Sequence, residues 1–351
     1  MRDDQPEIRS IRPSKEESGR TSIADVAARA KVSIATVSRV LNTPTLVAPA
    51  TAAAVNEAIT TLKYRPNRFA RGLVTKKSHV IGISLPDLHG EFYSKLMQVA
   101  DEEANRLGYG VLVTSTGHRP TGATEASGSG FLLDLIDGMV SMVTERRGPM
   151  SMASEHGDRP LVLLCDNPDA WNEFDTVAID QGAGTRDAVL HLLREQTADR
   201  CFFVAGHEGN LDSDARCRVF SETIEEADPS ASAQIAYGEF TFEWGREWAR
   251  KMIKGKRLDG AAVLAGNDEI ALGIMDVARS AGLQIPRDLR VIGFDDSRLC
   301  RLVDPMLSSV AVPIAAAARE AVRLLVERLK DPERAPASVQ LTTTLVLRAS
   351  S

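Results

Sequence analysis

The residues best suited to chemistry lie on one side of a short predicted helix that runs from residue 34 to residue 42. At about 100° per residue, the positions that share this side are Ile34, Ala35, Ser38 and Arg39. An arginine can hydrogen-bond a guanine edge with two N–H groups, and small apolar groups can contact thymine methyls. The opposite side carries the apolar residues Val37, Val40 and Leu41. This pattern predicts a helix that buries one face and presents the other to the bases of DNA.

Hydroxyl groups stand at the start of the same helix. Ser33 is a suitable N-cap, and Thr36 follows within the first turn. Their hydroxyls, together with the backbone N–H groups of that turn, are suited to contact phosphate oxygens. Asn42, at the end of the helix, is counted with the predicted DNA-binding residues.

Two further helices are predicted around this one. Ser22, followed three residues later by Asp25, indicates a capping box that starts a helix before residue 31. Two short helices joined by a turn of three to four residues form a helix-turn-helix. A third helix over about 49–62 would close the small core.

A second candidate for DNA contact follows at 64–77. The run YRPN at 64–67 combines a helix stop with a proline-led restart, which predicts a short helix from Asn67 to about Leu73. Such a helix is too short to be stable alone in water, so we expect it to form only when something holds it. It carries Arg68 beside an exposed Leu73, and a leucine among cations can wedge between base steps in a minor groove.

Charge separates this N-terminal part from the rest of the chain. Residues 20–78 carry ten Lys or Arg against two acidic residues, a net charge of +8, whereas residues 79–351 carry −13. A basic segment attracts polyanions, while a large acidic body is repelled by them. The charge distribution therefore favours nucleic-acid binding by the N-terminal part alone.

From residue 79 the chain alternates short apolar strands with helices. The predicted strands are 80–85, 111–116, 139–143, 161–165, 201–206, 261–266 and 291–296. The predicted helices among them include 92–107, 184–195, 243–253, 268–281 and 315–330. This alternation predicts doubly wound α/β layers with parallel sheets. Ligands of such sheets bind outside the carboxyl ends of the strands, where Asp166, Asn267 and Asp295 stand.

Several classes of protein are disfavoured by what the sequence lacks. It has no run of about 18 apolar residues and no apolar signal-peptide core near its start, so we expect a cytoplasmic protein without a membrane partner. The cysteines have no zinc or redox spacing and are expected to be reduced and mostly buried: Cys165, Cys201, Cys217 and Cys300. Neither a metal nor a cofactor is predicted.

The N-terminal segments resemble a known family. TSIADVAARAKVSIATVSRVLN at 21–42, followed by YRPNRFARGL at 64–73, is similar to the DNA-binding domain and hinge helix of LacI/GalR transcriptional regulators. The resemblance implies that Ile34, Ala35 and Arg39 read bases in the major groove. It also implies that the hinge helix contacts the minor groove through Asn67, Ala70 and Leu73.

Two residues depart from the family pattern. Lys31 stands where the family has a turn glycine, and a left-handed conformation there would cost about 1 kcal/mol. Ala48 stands where the family has a serine cap, which would also cost about 1 kcal/mol.

The remainder of the chain resembles the effector-binding core of the same family. The similarity is carried by the segments 80–113 and 267–299, and it implies two α/β subdomains around a cleft, as in periplasmic sugar-binding proteins. By position, the resemblance implies a set of effector-binding residues: Phe92, Tyr93, Asp166, Arg216, Phe240, Asn267 and Asp295.

The resemblance also divides the chain. It implies a helix-turn-helix domain at 21–66 and a hinge helix with its linker at 67–78. Residues 1–20, which are mostly polar, are expected to form a disordered tail. The first core subdomain would take 79–180 and 313–336, and the second 181–312 and 337–351. No leucine heptads follow, so we expect a homodimer that reads a pseudo-palindromic operator in double-stranded DNA.

We therefore expect a repressor of carbohydrate-utilisation genes that is controlled by a small ligand, most simply a sugar. A regulator that responds to a nucleobase or another metabolite as corepressor stays open. A transport protein that binds sugar without DNA would not need the basic helix-turn-helix. An enzyme is not expected, since the sequence has no G-x-S-x-G elbow and no P-loop.

Overall fold

The computed structural model describes residues 21–64, 77–116, 134–145, 157, 159–194 and 196–351. The chain divides into two compact units between Lys76 and Lys77. The predicted tail at 1–20 lies outside the described residues. So do the hinge-helix residues predicted to contact DNA, Asn67, Arg68, Ala70 and Leu73, and the side chain of Asn42.

The first unit is helical in its described part. Its helices are α1 (Ile23–Ala30), α2 (Ile34–Asn42) and α3 (Pro49–Thr61), with a 3-10 turn at Pro44–Leu46. Its small core consists of Val26, Ala27, Val37, Val40, Val55 and Ala58. The predicted helix-turn-helix and the third helix that closes its core are confirmed.

Local capping explains where these helices begin. The Ser22 hydroxyl accepts from the backbone N–H of Asp25, whose carboxylate accepts in return from the backbone N–H of Ser22, at 2.8 Å. Ser33 caps α2 by accepting from the N–H of Thr36 at 3.1 Å. Ala48 gives α3 no side-chain cap, and Lys31 ends α1 in the left-handed conformation at φ 54°. Both expected consequences of the departures from the family pattern are therefore present: a left-handed lysine at 31 and a helix α3 without a side-chain cap.

Replacing Lys31 by glycine is expected to stabilise the first unit by about 1 kcal/mol, because glycine adopts the left-handed conformation without a Cβ clash. Hydrogen exchange of the amides in α1–α3 of the full-length chain measures this change. Lys31→Ala removes the same charge but keeps a Cβ, so it should not slow exchange. Equal protection in the two variants would show that the backbone at this turn is not strained.

The second unit contains two six-stranded sheets in its described part. The first has the order β11-β5-β4-β3-β1-β2 and is parallel throughout. Its strands are β1 (Val80–Leu85), β2 (Gly110–Ser115), β3 (Gly138–Met142), β4 (Leu161–Cys165), β5 (Asp175–Asp180) and β11 (Ser338–Thr342). The helices α4 (Gly90–Arg106) and α9 (Ile314–Lys330) pack against each other on this subdomain.

The second sheet has the order β12-β10-β9-β8-β6-β7, and only β12 runs antiparallel to its neighbour. Its strands are β6 (Cys201–Val204), β7 (Gln234–Ala236), β8 (Ala261–Ala265), β9 (Leu289–Asp295), β10 (Ser308–Ala311) and β12 (Thr344–Val346). Its helices are α5 (Gly182–Leu192), α6 (Leu211–Ala227), α7 (Phe242–Lys254) and α8 (Asp268–Ser280). The predicted two-subdomain α/β core is confirmed.

One predicted boundary is wrong. The family resemblance implies that 337–351 belongs to the second subdomain, but β11 pairs in parallel with β5 of the first sheet, from Ser338 opposite Thr176 to Thr342 opposite Asp180. The chain enters the second sheet only with β12, so the last crossover lies at Thr343. The buried Thr343 hydroxyl donates to the carbonyl of Asp180 at 2.8 Å, which holds two crossovers together.

The cysteines are as predicted. All four are buried free thiols. Burial raises the pKa of the Cys165 thiol to about 12, so this group is neutral at physiological pH. Within the described ranges, no helix is both long enough and apolar enough to span a membrane.

Candidate DNA-binding face and inter-subdomain cavity

The helix α2 presents its predicted face to solvent. The Ile34 side chain is 51% exposed, and Ala35 and Arg39 are also exposed, whereas Val37 on the opposite face is fully buried. Thr36 and Ser38 are half-buried. An isoleucine exposed beside an arginine has no packing role in this unit, so the face is available for base edges and thymine methyls.

The first turn of α2 groups its hydroxyls together. The Ser33 and Thr36 side-chain oxygens lie 2.9 Å apart, and the hydroxyl of Ser33 also caps the helix. A helix N-terminus with free N–H groups and hydroxyls beside it is suited to a phosphate. The described residues that the sequence predicted to contact DNA therefore lie together on α2 and at its N-cap.

A cavity lies between the two subdomains of the second unit. It measures about 370 Å³ of empty space including its open mouth, and it sits where β3, β4 and β5 end. The first turn of α6 closes it from the second subdomain. We call it the inter-subdomain cavity, and its lining is Phe92, Leu96, Met142, Val143, Leu164, Cys165, Ile179, Gln181, Asp212, Arg216 and Ile314.

A chain of hydrogen bonds crosses the polar end of this cavity. The amide of Gln181 donates to Asp212 Oδ1 at 3.0 Å and accepts from Arg216 Nε at 3.0 Å. Arg216 Nη1 also donates to the carbonyl of Gly266 at 2.6 Å, and its guanidinium lies 3.7 Å from the centre of the Phe294 ring. Arg216 is only 5% exposed, so these contacts fix its position.

The carboxylates near Arg216 are held in a poorly solvated region. Burial raises the pKa of Asp212, and Arg216 opposes this shift only in part. Burial raises the pKa of Asp295 well above its ordinary value, again against the attraction of Arg216. Burial also raises the pKa of the Tyr93 hydroxyl, so the tyrosine stays neutral. Negative charge is therefore costly in the cavity before any ligand enters.

The loop after β9 is held rigidly. Asp268 is 3% exposed, and its carboxylate accepts from the Ser297 N–H at 2.7 Å and from the Ser309 hydroxyl at 2.6 Å. Asp295 and Asp296 both have positive φ, at 103° and 51°. Strained backbone persists where the surroundings over-determine it, and such positions cluster at functional sites.

Two hydrogen bonds join the subdomains beside the cavity. Glu91 Oε1, at the start of α4, accepts from the backbone N–H of Arg298 at 2.8 Å. The Leu211 N–H, at the start of α6, donates to the carbonyl of Thr144 at 2.9 Å. The two subdomains are therefore in direct contact at these two points.

The predicted effector residues fall into two groups. Phe92 and Arg216 line the cavity, Tyr93 packs edge-on against Phe92 with ring centres 5.2 Å apart, and Asp166 and Asp295 lie within electrostatic range of Asp212. Phe240 and Asn267 do not line this cavity, and they contact each other.

The Asn267 amide has a structural task. Its oxygen caps α8 by accepting from the Ile270 N–H at 2.9 Å, and its nitrogen donates to the Phe240 carbonyl at 3.2 Å. A ligand would have to compete with both bonds. The ligand roles of Asn267 and Phe240 stay predictions.

Sequence reasoning missed Gln181 and Asp212, which supply two of the three polar side chains in the hydrogen-bond chain. Asp212 stands four residues before Arg216, so a predicted helix there would have placed both on one face. Gln181 follows directly after β5, a strand that the sequence reading did not include. Within the described residues, no group of three His, Cys, Asp or Glu side chains is arranged to hold a metal ion.

Asp295→Asn is expected to stabilise the ligand-free core at pH 7 but not near pH 4. Burial raises the pKa of Asp295 in the folded protein above its value in the unfolded chain, which is about 3.9. The carboxyl group therefore stabilises the fold fully below about pH 3.9, and this contribution is lost as the pH rises through the folded pKa. Asparagine does not titrate, so its advantage should grow between pH 4 and pH 7. Urea unfolding followed by tryptophan fluorescence measures it, and an advantage independent of pH would contradict the argument.

Comparison with known proteins agrees with this architecture. Residues 22–67 match the family model described as bacterial regulatory proteins, lacI family. Residues 190–351 match the family model described as a periplasmic binding protein-like domain. Among solved structures, a lac repressor dimer bound to operator and the anti-inducer ONPF superposes with a TM-score of 0.83 at 23% identity, over 94% of this chain and 98% of that one. The regulator CelR in complex with cellobiose gives 0.69 at 26% identity, over 95% and 100%.

Sequence relatives cover nearly the whole chain. Catabolite control protein A of Priestia megaterium is 30% identical over 335 residues, which is 94% of this chain and 99% of the relative. The transcriptional repressor CytR of Escherichia coli K12 is 30% identical over 347 residues, 97% of this chain and 99% of the relative. With both domain families matched in order and 30% identity to relatives over 94% and 97% of its length, the chain belongs to the lacI family of bacterial regulatory proteins.

Proposed function

We propose that this chain is a cytoplasmic, ligand-controlled repressor of carbohydrate-utilisation genes that binds a pseudo-palindromic operator as a homodimer. The observation that carries the proposal is the exposed face of α2, where Ile34 and Arg39 project from a helix whose other face is buried. Two such helices related by a two-fold axis read two half-sites about one helical turn apart.

The cavity supports a small polyhydroxy ligand. Its empty space is bounded by side chains of both subdomains, which are apolar at one end and polar at the other. The Phe92 ring can pack against the apolar face of a sugar. The side chains of Asp212, Gln181 and Arg216 provide hydrogen-bond acceptors and donors for the sugar hydroxyl groups. Solved relatives include a CelR complex with cellobiose and a family member from Enterococcus faecium with bound ribose.

Ligand and operator would communicate through the arrangement of the subdomains. The cavity has walls from both, so a bound ligand changes the free-energy difference between their closed and open arrangements. A ligand can shift DNA affinity only through different affinities for the two arrangements, and the coupling is reciprocal. If a sugar lowers the affinity of the protein for its operator, the protein is an inducible repressor. If a sugar raises that affinity, the sugar is a corepressor.

The test begins with full-length protein and sheared DNA from its source genome. Fragments retained at moderate salt are sequenced, and a pseudo-palindromic motif upstream of sugar-transport or sugar-catabolism genes is the expected result. Sugars suggested by those genes are then titrated against the labelled operator by fluorescence anisotropy. Enrichment of no motif, in selections run without sugar and with a mixture of common sugars added, would refute the proposed function.

Arg39→Ala is expected to relax the selected motif at one base pair in each half-site, because the guanidinium is the charged group on the exposed face of α2. The loss is about 1–3 kcal/mol per contact on the wild-type operator. Repeating the selection with the variant measures both the motif and the affinity.

Arg29→Ala is the matched control. It removes the same charge from the same unit, but from an exposed position on α1. It should lower affinity for all DNA without changing the motif. A motif that stays sharp in Arg39→Ala, or that changes equally in both variants, would remove Arg39 from the base-reading role.

A further inference from the structure

The polar end of the inter-subdomain cavity holds more negative than positive groups. Asp212 lines it, Asp166 directly follows β4, and Asp295 is the last residue of β9. The last two carboxylates lie within electrostatic range of Asp212. Among the lining residues that the structure describes, Arg216 is the only cation. None of the three carboxylates forms an ion pair in the described part of the chain.

The guanidinium of Arg216 is already committed to uncharged partners. Its Nε and Nη1 donate to the Gln181 amide and to the Gly266 carbonyl, and its face lies on Phe294. The positive charge therefore remains, but two of its donors are not free to clamp an incoming carboxylate or phosphate. A second anion beside Asp212 would meet a region that is negative overall and poorly screened.

Asp212 is the carboxylate best placed to act on a ligand. Its Oδ1 accepts from Gln181, while Oδ2 has no hydrogen-bond partner among the described residues. An acceptor with a free lone pair at a cavity wall suits a hydroxyl or an ammonium group and repels an oxyanion.

We propose that Asp212 sets the charge class of the ligand: the cavity takes uncharged or amine-bearing polyhydroxy compounds and rejects sugar acids and sugar phosphates. This inference rests on the proposed function, since it assumes that a sugar-like ligand occupies the cavity.

The experiment uses matched ligands on several carbon skeletons with the full-length protein. The probes are glucose, glucosamine and glucuronate; galactose, galactosamine and galacturonate; and ribose with ribose 5-phosphate. Calorimetry gives Kd for each, and anisotropy gives the change in operator affinity. In the series that binds, the anionic member should be at least about tenfold weaker than the neutral parent.

Asp212→Asn tests the residue itself. Asparagine keeps an oxygen for the Gln181 amide and removes only the charge, so the ratio of anionic to neutral Kd should shift at least about tenfold toward the anion. Glu225→Gln, an exposed position on the same helix, removes the same charge away from the cavity and should leave the ratio unchanged. Asp212→Ser serves in place of Asp212→Asn if circular dichroism shows that the asparagine variant is misfolded.

The outcomes separate the two proposals. Tight binding of an anionic sugar by the wild type, or a ratio that Asp212→Asn does not move, overturns the charge filter and leaves the sugar-controlled repressor standing. Binding of no probe, with no change in operator affinity, overturns the sugar-controlled repressor and the charge filter with it.

Discussion

Asp175→Ala should lower the free energy of unfolding of the core by about 3–5 kcal/mol, because it strands two guanidinium groups in a buried site. The Asp175 side chain is completely buried and contacts Arg328 at 2.9 Å and Arg334 at 2.8 Å. It also accepts from the Ala337 N–H at 2.8 Å, at the entrance to β11. One carboxylate therefore ties the start of β5 to the end of α9 and to the segment that leads into β11.

Urea unfolding followed by tryptophan fluorescence measures this loss, and Tm should fall by roughly 10 °C. Asp175→Asn keeps an acceptor for Ala337 and should lie between the wild type and alanine. Glu226→Ala breaks an exposed ion pair with Arg186, in which both side chains are about half exposed, and should change nothing measurable. An Asp175→Ala variant as stable as Glu226→Ala would show that the buried arginines find water or other acceptors.

The first unit was predictable because its determinants are local. The capping box at Ser22, the N-cap at Ser33 and the period of the apolar residues each act within one or two helical turns. Lys31 is an example, because the turn after α1 requires a left-handed backbone conformation whatever side chain occupies the position. The exposed face of α2 followed from the same angles that placed Val37 in the core.

The strand β11 was not predictable in the same way. The segment 338–342 alternates exposed and half-buried residues, which suits an edge strand of either sheet. Its place beside β5 is decided by contacts distant in sequence, such as the Ser338 hydroxyl 2.9 Å from that of Thr176. Local pattern indicates that a strand exists, but the choice of sheet depends on which edge the preceding helix delivers it to.

The cavity was predicted in position and only partly in composition. Strand ends at 165–166 and 266–267 indicated the edge of each sheet, and Arg216 was found by its place in the family pattern. Gln181 and Asp212 were missed because their role depends on how the subdomains meet, which brings residues 31 apart into hydrogen-bond contact. Asn267 shows that one position can have two uses, because a polar residue after a strand is also the residue that caps the following helix.

Arg216→Leu should abolish the ligand response while operator binding is kept. The guanidinium makes two charge-assisted hydrogen bonds, each worth about 1.5–3 kcal/mol, and one of them positions Gln181 and through it Asp212. Leucine retains apolar contact with Phe294 but makes neither bond, so the ligand Kd should rise at least about 100-fold. Operator affinity without ligand is measured by anisotropy and should stay within about threefold of the wild type.

Arg218→Leu is the matched control, since it makes the same change on the same helix at an exposed position and should respond to ligand normally. Arg216→Lys keeps the charge but lacks the planar fork that reaches Gln181 and Gly266 together, so it should respond only at higher ligand concentration. A lysine variant that responds as the wild type would mean that charge alone matters at this position. A leucine variant that still releases operator at the wild-type ligand concentration would mean that the ligand binds outside the inter-subdomain cavity, because no ligand held there can avoid the Arg216 network.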